Sequence, residues 1–260
     1  MDSRPRPATP AWPPKSAPRL FVPMRLGAGH SIALDGAQAH YLTRVMRAAP
    51  DDAVILCDDE TGEWLANVQS SGKRSVELTV EKLLRPREQV PDFTLCAALL
   101  KKSAFDMLLE KATELGVRRI QPVITRRCVA DKLNSERALA IVTEAAEQCA
   151  RTALPEIAEP VKLGDLLAGW ETGRRLFFAD ENGGEPAASA FAAQTGPAAL
   201  LIGPEGGFDD AERKAVRALT STCAISLGPR ILRGETAAIA AGALWMGLAG
   251  DWIDSPPAKI

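Results

Sequence analysis

From Arg19 onward the hydrophobic positions fall into two patterns. The first is a series of short strand-like runs. Leu20-Phe21-Val22 and Val54-Ile55-Leu56-Cys57 are continuous, Trp64-Leu65-Ala66-Asn67-Val68 alternates in part, and Val76-Glu77-Leu78-Thr79-Val80 alternates strictly. Strict alternation sends every second side chain to one face of a sheet. The turn-forming stretches Asp58-Asp59-Glu60-Thr61-Gly62 and Ser70-Ser71-Gly72-Lys73 separate these runs. Short strands at this spacing predict a small β-barrel over residues 19–85. Within it, His40–Arg47 (HYLTRVMR) fits one short helix with Tyr41, Leu42, Val45 and Met46 near a common stripe.

The second pattern is an alternation of strand and helix. Residues 85–91 (RPREQVP) carry two prolines and three charges and read as a linker. Phe93–Leu100 is a nearly unbroken apolar run, as in a strand covered on both faces. Ser103–Leu115 reads as a helix stopped by Gly116. Ile120–Ile124 follows as a strand, and Ser135–Thr152 as a long helix with Ser135 at its N-cap. Leu176–Ala179, Ala199–Ile202 and Ala224–Leu227 are further strands. Asp209 with Glu212 forms a capping-box pair, and a last helix runs from about Glu235 to Ala249. The expected architecture over residues 91–253 is a mostly parallel α/β sheet. Residues 1–18, with six prolines, read as a disordered tail.

Composition narrows the classes. The chain has 260 residues, 46% hydrophobic and 25% charged, as a water-soluble globular protein does. No apolar run approaches the roughly 20 residues that span a bilayer. The basic, Pro-rich N-terminus lacks the apolar core of a secretory leader, so a cytoplasmic location is the expectation. Five scattered cysteines without a Cys-x-x-Cys pair, and only His30 and His40, argue against a disulfide framework and a zinc site. No metal is expected. Net charge is −2, yet its distribution is segmental. Residues 1–50 carry seven basic against two acidic groups, residues 101–130 seven against three, and residues 51–90 five against nine. Segmental basic charge suits a phosphate-contacting surface, and equally an ordinary mixed surface.

Two glycine-bearing loops carry the candidate chemistry: Gly203-Pro204-Glu205-Gly206-Gly207-Phe208 and Leu227-Gly228-Pro229-Arg230-Ile231-Leu232-Arg233-Gly234-Glu235-Thr236-Ala237. Each follows an apolar strand and precedes a helix. There glycine allows close backbone approach, and the helix start offers unpaired N–H groups. The Rossmann, Walker A and nucleophile-elbow patterns are absent. Arg230 and Arg233 suit phosphate, or negative charge developing on a base; a surface ion pair is the plain alternative. Glu205 and Glu235 could orient a substrate or only cap helices, and Thr236 is similarly ambiguous. Arg44 and Arg47 share a helix face, if the helix forms, and with Arg19 suit phosphate contact or solvent. Lys101, Lys102, Arg126 and Arg127 flank strand ends, where ligands gather. His40 reads as structural.

Four segments together resemble the SPOUT methyltransferases, specifically the bacterial 16S rRNA (uracil-N3)-methyltransferase family. They are HYLTRVMR at 40–47, EKATELGV at 110–117, IGPEGGF at 202–208 and LGPRILRGETA at 227–237. The resemblance implies a PUA-like RNA-binding barrel, a methyltransferase domain with a trefoil knot, and a homodimer. It implies S-adenosylmethionine as cofactor and a uridine of 16S rRNA in the small ribosomal subunit as substrate. Another SPOUT enzyme acting on tRNA or a ribose 2′-hydroxyl, a non-catalytic RNA-binding or ribosome-assembly protein, and an unrelated small-molecule α/β enzyme are the rival classes. On the resemblance, Ile202, Gly203, Gly206, Gly207, Leu227, Gly228, Ile231, Leu232, Thr236 and Ala237 would hold the cofactor. Arg230 and Glu205 would serve catalysis. Arg19, Arg44, Arg47, Lys101, Lys102, Arg126, Arg127 and Arg233 would contact RNA. The chain departs from the family pattern at Cys149-Ala150, where Ser-Gly is common, and at Gly234, where Thr or Ala is commoner.

Overall fold

The computed structural model describes residues 17–72 and 74–253. Most of the tail expected at 1–18, Lys73 of the second turn, and residues 254–260 lie outside the described residues. The chain divides into two compact units between Glu88 and Gln89.

The first unit is built on β1 (Arg19–Phe21), β2 (Ser31–Leu34), β3 (Ala53–Cys57), β4 (Gly62–Ser71) and β5 (Val76–Pro86). Their order is β1-β3-β4-β5-β2. Only β1 and β3 are parallel; every other pairing is antiparallel. Val76, Leu78 and Val80 point into the core while Glu77 is exposed, as strict alternation requires. Leu42, Val54, Leu56, Ala66 and Val68 complete that core. Just before β1, the Pro18 carbonyl accepts from Ile55 N at 2.8 Å.

The segment 36–45 differs from the single helix expected at 40–47. An α-helix, α1 (Gly36–His40), passes into a π-helical turn at Tyr41–Val45. Met46 N donates to Tyr41 O at 3.0 Å, and Thr43 Oγ1 bonds Ala39 O at 2.8 Å. The wider turn shifts the apolar stripe: Leu42 is buried, but Val45 is 62% exposed and Met46 joins it at the surface.

Two carboxylates organise the strand ends. Asp58 accepts from Leu26 N, Glu60 N, Thr61 N, Thr61 Oγ1 and Gly62 N at 2.6–3.2 Å. Burial alone would raise its pKa; these bonds outweigh burial and hold the carboxyl below its ordinary value. Glu63, buried, accepts from Arg19 Nη2 at 2.9 Å and Arg85 Nε at 2.7 Å. Burial pushes the Cys57 thiol up to about 12, so it packs as a neutral group.

The second unit is a wholly parallel sheet. Its strands are β6 (Phe93–Ala98), β7 (Arg119–Ile124), β8 (Glu156–Ile157), β9 (Val161–Lys162), β10 (Arg175–Ala179), β11 (Glu185–Pro186), β12 (Ala198–Ile202) and β13 (Thr222–Ser226). They are ordered β11-β13-β10-β12-β6-β7-β8, with β9 also on β7. The connecting helices are α2 (Lys102–Glu114), α3 (Ser135–Cys149), α4 (Leu163–Ala168), α5 (Ala187–Ala192), α6 (Asp210–Ala218) and α7 (Gly234–Leu248). One sheet face is covered by α2, α3, α5 and α7, the other by α4 and α6. Phe93, Leu95, Leu200 and Ile202 point to the first face; Cys96, Ala199 and Leu201 point to the second. Both faces being covered, these strands read as continuous apolar runs. Phe93 stacks on Trp245 of α7 with centroids 4.1 Å apart.

Helix ends follow local chemistry. Gly116 terminates α2 at φ +90. The N-cap of α3 is Asn134, accepting from Arg137 N at 2.8 Å, rather than Ser135. That helix also stops short of Thr152: Ala150 takes φ 62, and the buried Arg151 turns back to donate to Thr113 O and Val117 O, both at 2.8 Å. The short elements β2, β8, β9, β11, α4 and α5 were not foreseen.

Removing the hub at Asp58 should be costly. Asp58→Ala leaves four main-chain N–H groups and a hydroxyl unpaired, and should lower stability by about 2–3 kcal/mol. Because the folded carboxyl sits low, its stabilisation is fully present above about pH 4 and is lost as pH falls through the folded value. Urea midpoints of wild type and Asp58→Ala should differ at neutral pH and converge in acid.

Candidate active site

The strands β10, β12 and β13 are neighbours and all end on the same edge of the sheet. Parallel strands with helices on both faces leave their C-terminal ends as the place where loops can receive a ligand. Here the ends open into the loops after Ala179, Ile202 and Ser226, with Gly234 starting α7 beside them. They enclose an open cleft lined by residues of all three loops.

Its walls are apolar where they meet the sheet and polar at one rim. Ile202, Phe208, Ile225 and Ala237 are buried, with Leu227 and Leu232 partly covered. Gly203 is required by packing and Gly207 by its left-handed backbone. A Cβ on Gly203 would lie 2.6 Å from the Phe208 ring, and one on Gly207, already at φ +67, would lie 2.7 Å from Glu181 Oε1. Gly228 instead has φ +104 and nothing within 4 Å of a notional Cβ, so its backbone is open to a ligand. At Gly234 a Cβ would meet Leu100 Cδ2 at 2.9 Å, so Leu100 packs directly on the start of α7.

The polar rim is an ion network. Asp180 is almost wholly buried, bonded by Arg213 Nε at 3.1 Å and Arg217 Nε at 2.8 Å. Arg213 Nη2 also reaches Glu181 Oε1 at 2.7 Å. The two guanidiniums supply the hydrogen-bond partners that this buried carboxylate requires. The network therefore fixes the loop after β10 against α6.

The structure brings Ile202, Gly203, Gly207, Leu227, Gly228, Arg230, Ile231, Leu232 and Ala237 together around the cleft. Ile231 sits at the mouth, 90% exposed. Arg230 is exposed and makes no ion pair among the described residues. Gly206, Thr236, Glu205 and Arg233 do not line it. Gly206 faces Arg127, and Thr236 is exposed on the first turn of α7. Glu205 instead meets the start of α2, its Oε1 accepting from Lys101 N at 3.1 Å. Arg233 occupies the N-cap position of α7 without a capping bond. Asp180, Glu181, Phe208, Ser226 and Ile225 line the cleft unforeseen. Asp180 and Glu181 had a legible signal, being the polar pair that directly follows a buried strand.

The basic residues separate into two kinds. Arg44 and Arg47 are exposed, Arg47 in a left-handed conformation at φ 55, and Lys101 and Lys102 are exposed at the start of α2. Arg19 does not belong with them, because its guanidinium turns inward to Glu63 and its side chain is only 19% exposed. Arg126 and Arg127 bond the glycine loop region, at Asp209 (2.9 Å) and Gly206 O (2.9 Å) respectively. Among the described residues no group of three or more His, Cys, Asp or Glu could hold a metal, and no helix is long and apolar enough to cross a membrane.

The fold and cleft agree with what the chain resembles. Residues 86–246 match the RNA methyltransferase domain model and residues 34–81 the RNA methyltransferase PUA domain model. By class, therefore, the chain is an RNA methyltransferase. Within that class it belongs to the ribosomal RNA small subunit methyltransferase E family. It is 30% identical over 227 residues to the Rickettsia conorii member, covering 86% of this chain and 92% of that one. It is 35% identical over 215 residues to the Synechocystis member, covering 80% and 70%. The Neisseria gonorrhoeae enzyme of the same name, solved with S-adenosylmethionine bound, superposes with a TM-score of 0.82 at 27% identity, over 91% of this chain and 99% of that one. A Legionella pneumophila methyltransferase solved with the same cofactor gives 0.81 at 28% identity, over 90% and 99%.

The contact between Gly207 and Glu181 is directly testable. Gly207→Ala adds both left-handed strain and a clash, and should destabilise by about 1–3 kcal/mol. Adding Glu181→Ala should restore the part due to the clash and leave the strain, a coupling readable from thermal midpoints of the four proteins.

Proposed function

We propose that this chain transfers a methyl group from S-adenosylmethionine to N3 of one uridine in 16S rRNA of the small ribosomal subunit. The observation that carries the reading is the glycine-walled cleft at the strand ends, with the unpaired Arg230 at its mouth. The cleft fits the cofactor chemically. The open backbone at Gly228 with Leu227 and Leu232 suits an adenine, which needs main-chain donors and acceptors beside a flat apolar slot. Gly203 and Gly207 let the opposite wall approach closely, and Glu181 presents carboxylate oxygen at the rim.

When bound, the cofactor supplies a methyl group made electrophilic by its sulfonium. The protein's part is to hold N3 in line and to favour its deprotonation. Arg230 is the group placed to stabilise negative charge on the uracil as that proton leaves. Its guanidinium makes no ion pair with a carboxylate among the described residues. No side chain at the cleft is a strong base, so water or a carboxylate takes the proton.

In this reading the N-terminal unit, with Arg44 and Arg47 exposed beside the π-helical turn, grips rRNA phosphates. The C-terminal unit carries the chemistry. A homodimer, a trefoil-knotted path around the cleft and a cytoplasmic site of action belong to the same proposal. The match to the PUA and methyltransferase models supports it, as do relatives solved with the cofactor.

The deciding experiment incubates the purified protein and labelled S-adenosylmethionine with small subunits from a strain lacking the activity, then maps 16S rRNA by mass spectrometry. One N3-methyluridine is expected. Label on a ribose, or only in tRNA, would move the chain to a different SPOUT activity, and cofactor binding without transfer to any RNA would favour a non-catalytic role. Arg230→Ala should lower kcat about 100-fold, the usual loss for one charge-stabilising group, while the Kd for S-adenosylhomocysteine stays within about twofold.

A further inference from the structure

We infer that the turn carrying Arg126 and Arg127 is a clasp on the cofactor loop, with Arg127 a positioning residue that acts through the Gly206 carbonyl rather than a phosphate contact. The inference rests on the proposed function. Thr125–Cys128 forms a tight turn at the end of β7, Cys128 N donating to Thr125 O at 3.3 Å. Thr125 N donates to Cys128 Sγ at 3.3 Å, which closes the turn and puts both arginines at its corner. From there Arg127 Nη1 donates to Gly206 O at 2.9 Å, and its side-chain stem lies so close that a Cβ on Gly206 would be 3.3 Å from Arg127 Cβ.

Arg126 anchors the same turn from the other side. Its main-chain N donates to Glu212 Oε1 at 2.8 Å and its Nη1 to Asp209 Oδ2 at 2.9 Å. Those two carboxylates also form the capping box of α6. The turn after β7 is thereby fastened to the helix that follows the glycine loop.

Within the loop Gly207 N donates to Pro204 O at 2.9 Å, and the Gly206 carbonyl on the other side of that peptide is left to Arg127. Gly206-Gly207 has no Cβ to restrict it, and glycine populates both signs of φ about equally. Yet Gly207, at φ +67, must present its backbone at one place on the cleft wall. A charged donor on the carbonyl between the two glycines adds a second hold on that peptide plane, beside the Gly207 N–H bond to Pro204 O. Arg127 does so from outside the cleft, whose lining does not include it.

The test compares wild type, Arg127→Ala and Arg127→Lys as full-length proteins. S-adenosylhomocysteine binding is measured by calorimetry, and small-subunit binding is measured over a range of salt concentrations. Arg127→Ala should weaken S-adenosylhomocysteine binding about tenfold, as expected on losing a charged hydrogen bond that orders a binding loop. Arg127→Lys, which keeps a donor, should recover most of it. The dependence of log K on log salt for subunit binding should not change. Unaltered nucleoside affinity in Arg127→Ala, or a salt slope reduced by about one as for a lost phosphate contact, would overturn the clasp. Arg127 is exposed and Arg126 still fastens the turn, so the alanine variant should keep the wild-type circular dichroism spectrum. Wild type that binds no S-adenosylhomocysteine would instead refute the proposed function, and the clasp with it.

Discussion

Burial of β12 and its neighbours on both faces is the constraint on which the C-terminal unit depends. Ala199, Leu200, Leu201 and Ile202 are all buried, alternating between a face covered by α7 and one covered by α6. A parallel sheet can be covered twice only if each strand leads into a crossover, and crossovers lift the chain off the sheet at the strand ends. The exposed backbone that results is at one edge. The cleft lies there, and its floor is made of the residues that close the core, Ile202 and Ile225 among them.

Around that edge, charge joins loops as well as facing solvent. Asp180 binds two arginines of α6, Glu181 shares one of them, Asp209 and Glu212 cap α6 while holding the turn after β7, and Glu205 receives Lys101 N. Three of these acids sit on or beside the glycine loop. Surface ion pairs contribute little singly. Their importance here is geometric, because each ties a permissive loop to a rigid element, while Arg230 at the mouth makes no ion pair among the described residues. A cleft assembled this way holds its shape while keeping one charge available to a ligand.

The N-terminal unit solves a smaller problem differently. With few residues to bury, it secures its strand ends with buried carboxylates: Asp58 collects the donors of a turn, and Glu63 binds Arg19 and Arg85. The basic charge of residues 1–50 is thus partly consumed inside. The exposed remainder includes the π-helical turn, where Val45, Met46, Arg44 and Arg47 stand together at the surface.

By itself, the sequence determined the elements long enough to show a period or carry a signal. Val76–Val80 alternates and pairs as β5, the run from Phe93 becomes β6, Asp209 and Glu212 form their capping box, and the two glycine loops flank one cleft. The short elements β2, β8, β9, β11, α4 and α5 escaped it, as did the N-cap of α3, which is Asn134 rather than Ser135. Tertiary structure alone decided which charges are spent. Arg19, Arg126, Arg127 and Glu205 look identical in sequence to free ligand-binding groups, and only the approach of residues between 44 and 104 positions away gives them partners. The physical reason is range. Periodicity and capping are set by neighbours within a few residues, whereas an ion pair depends on where distant strand ends meet.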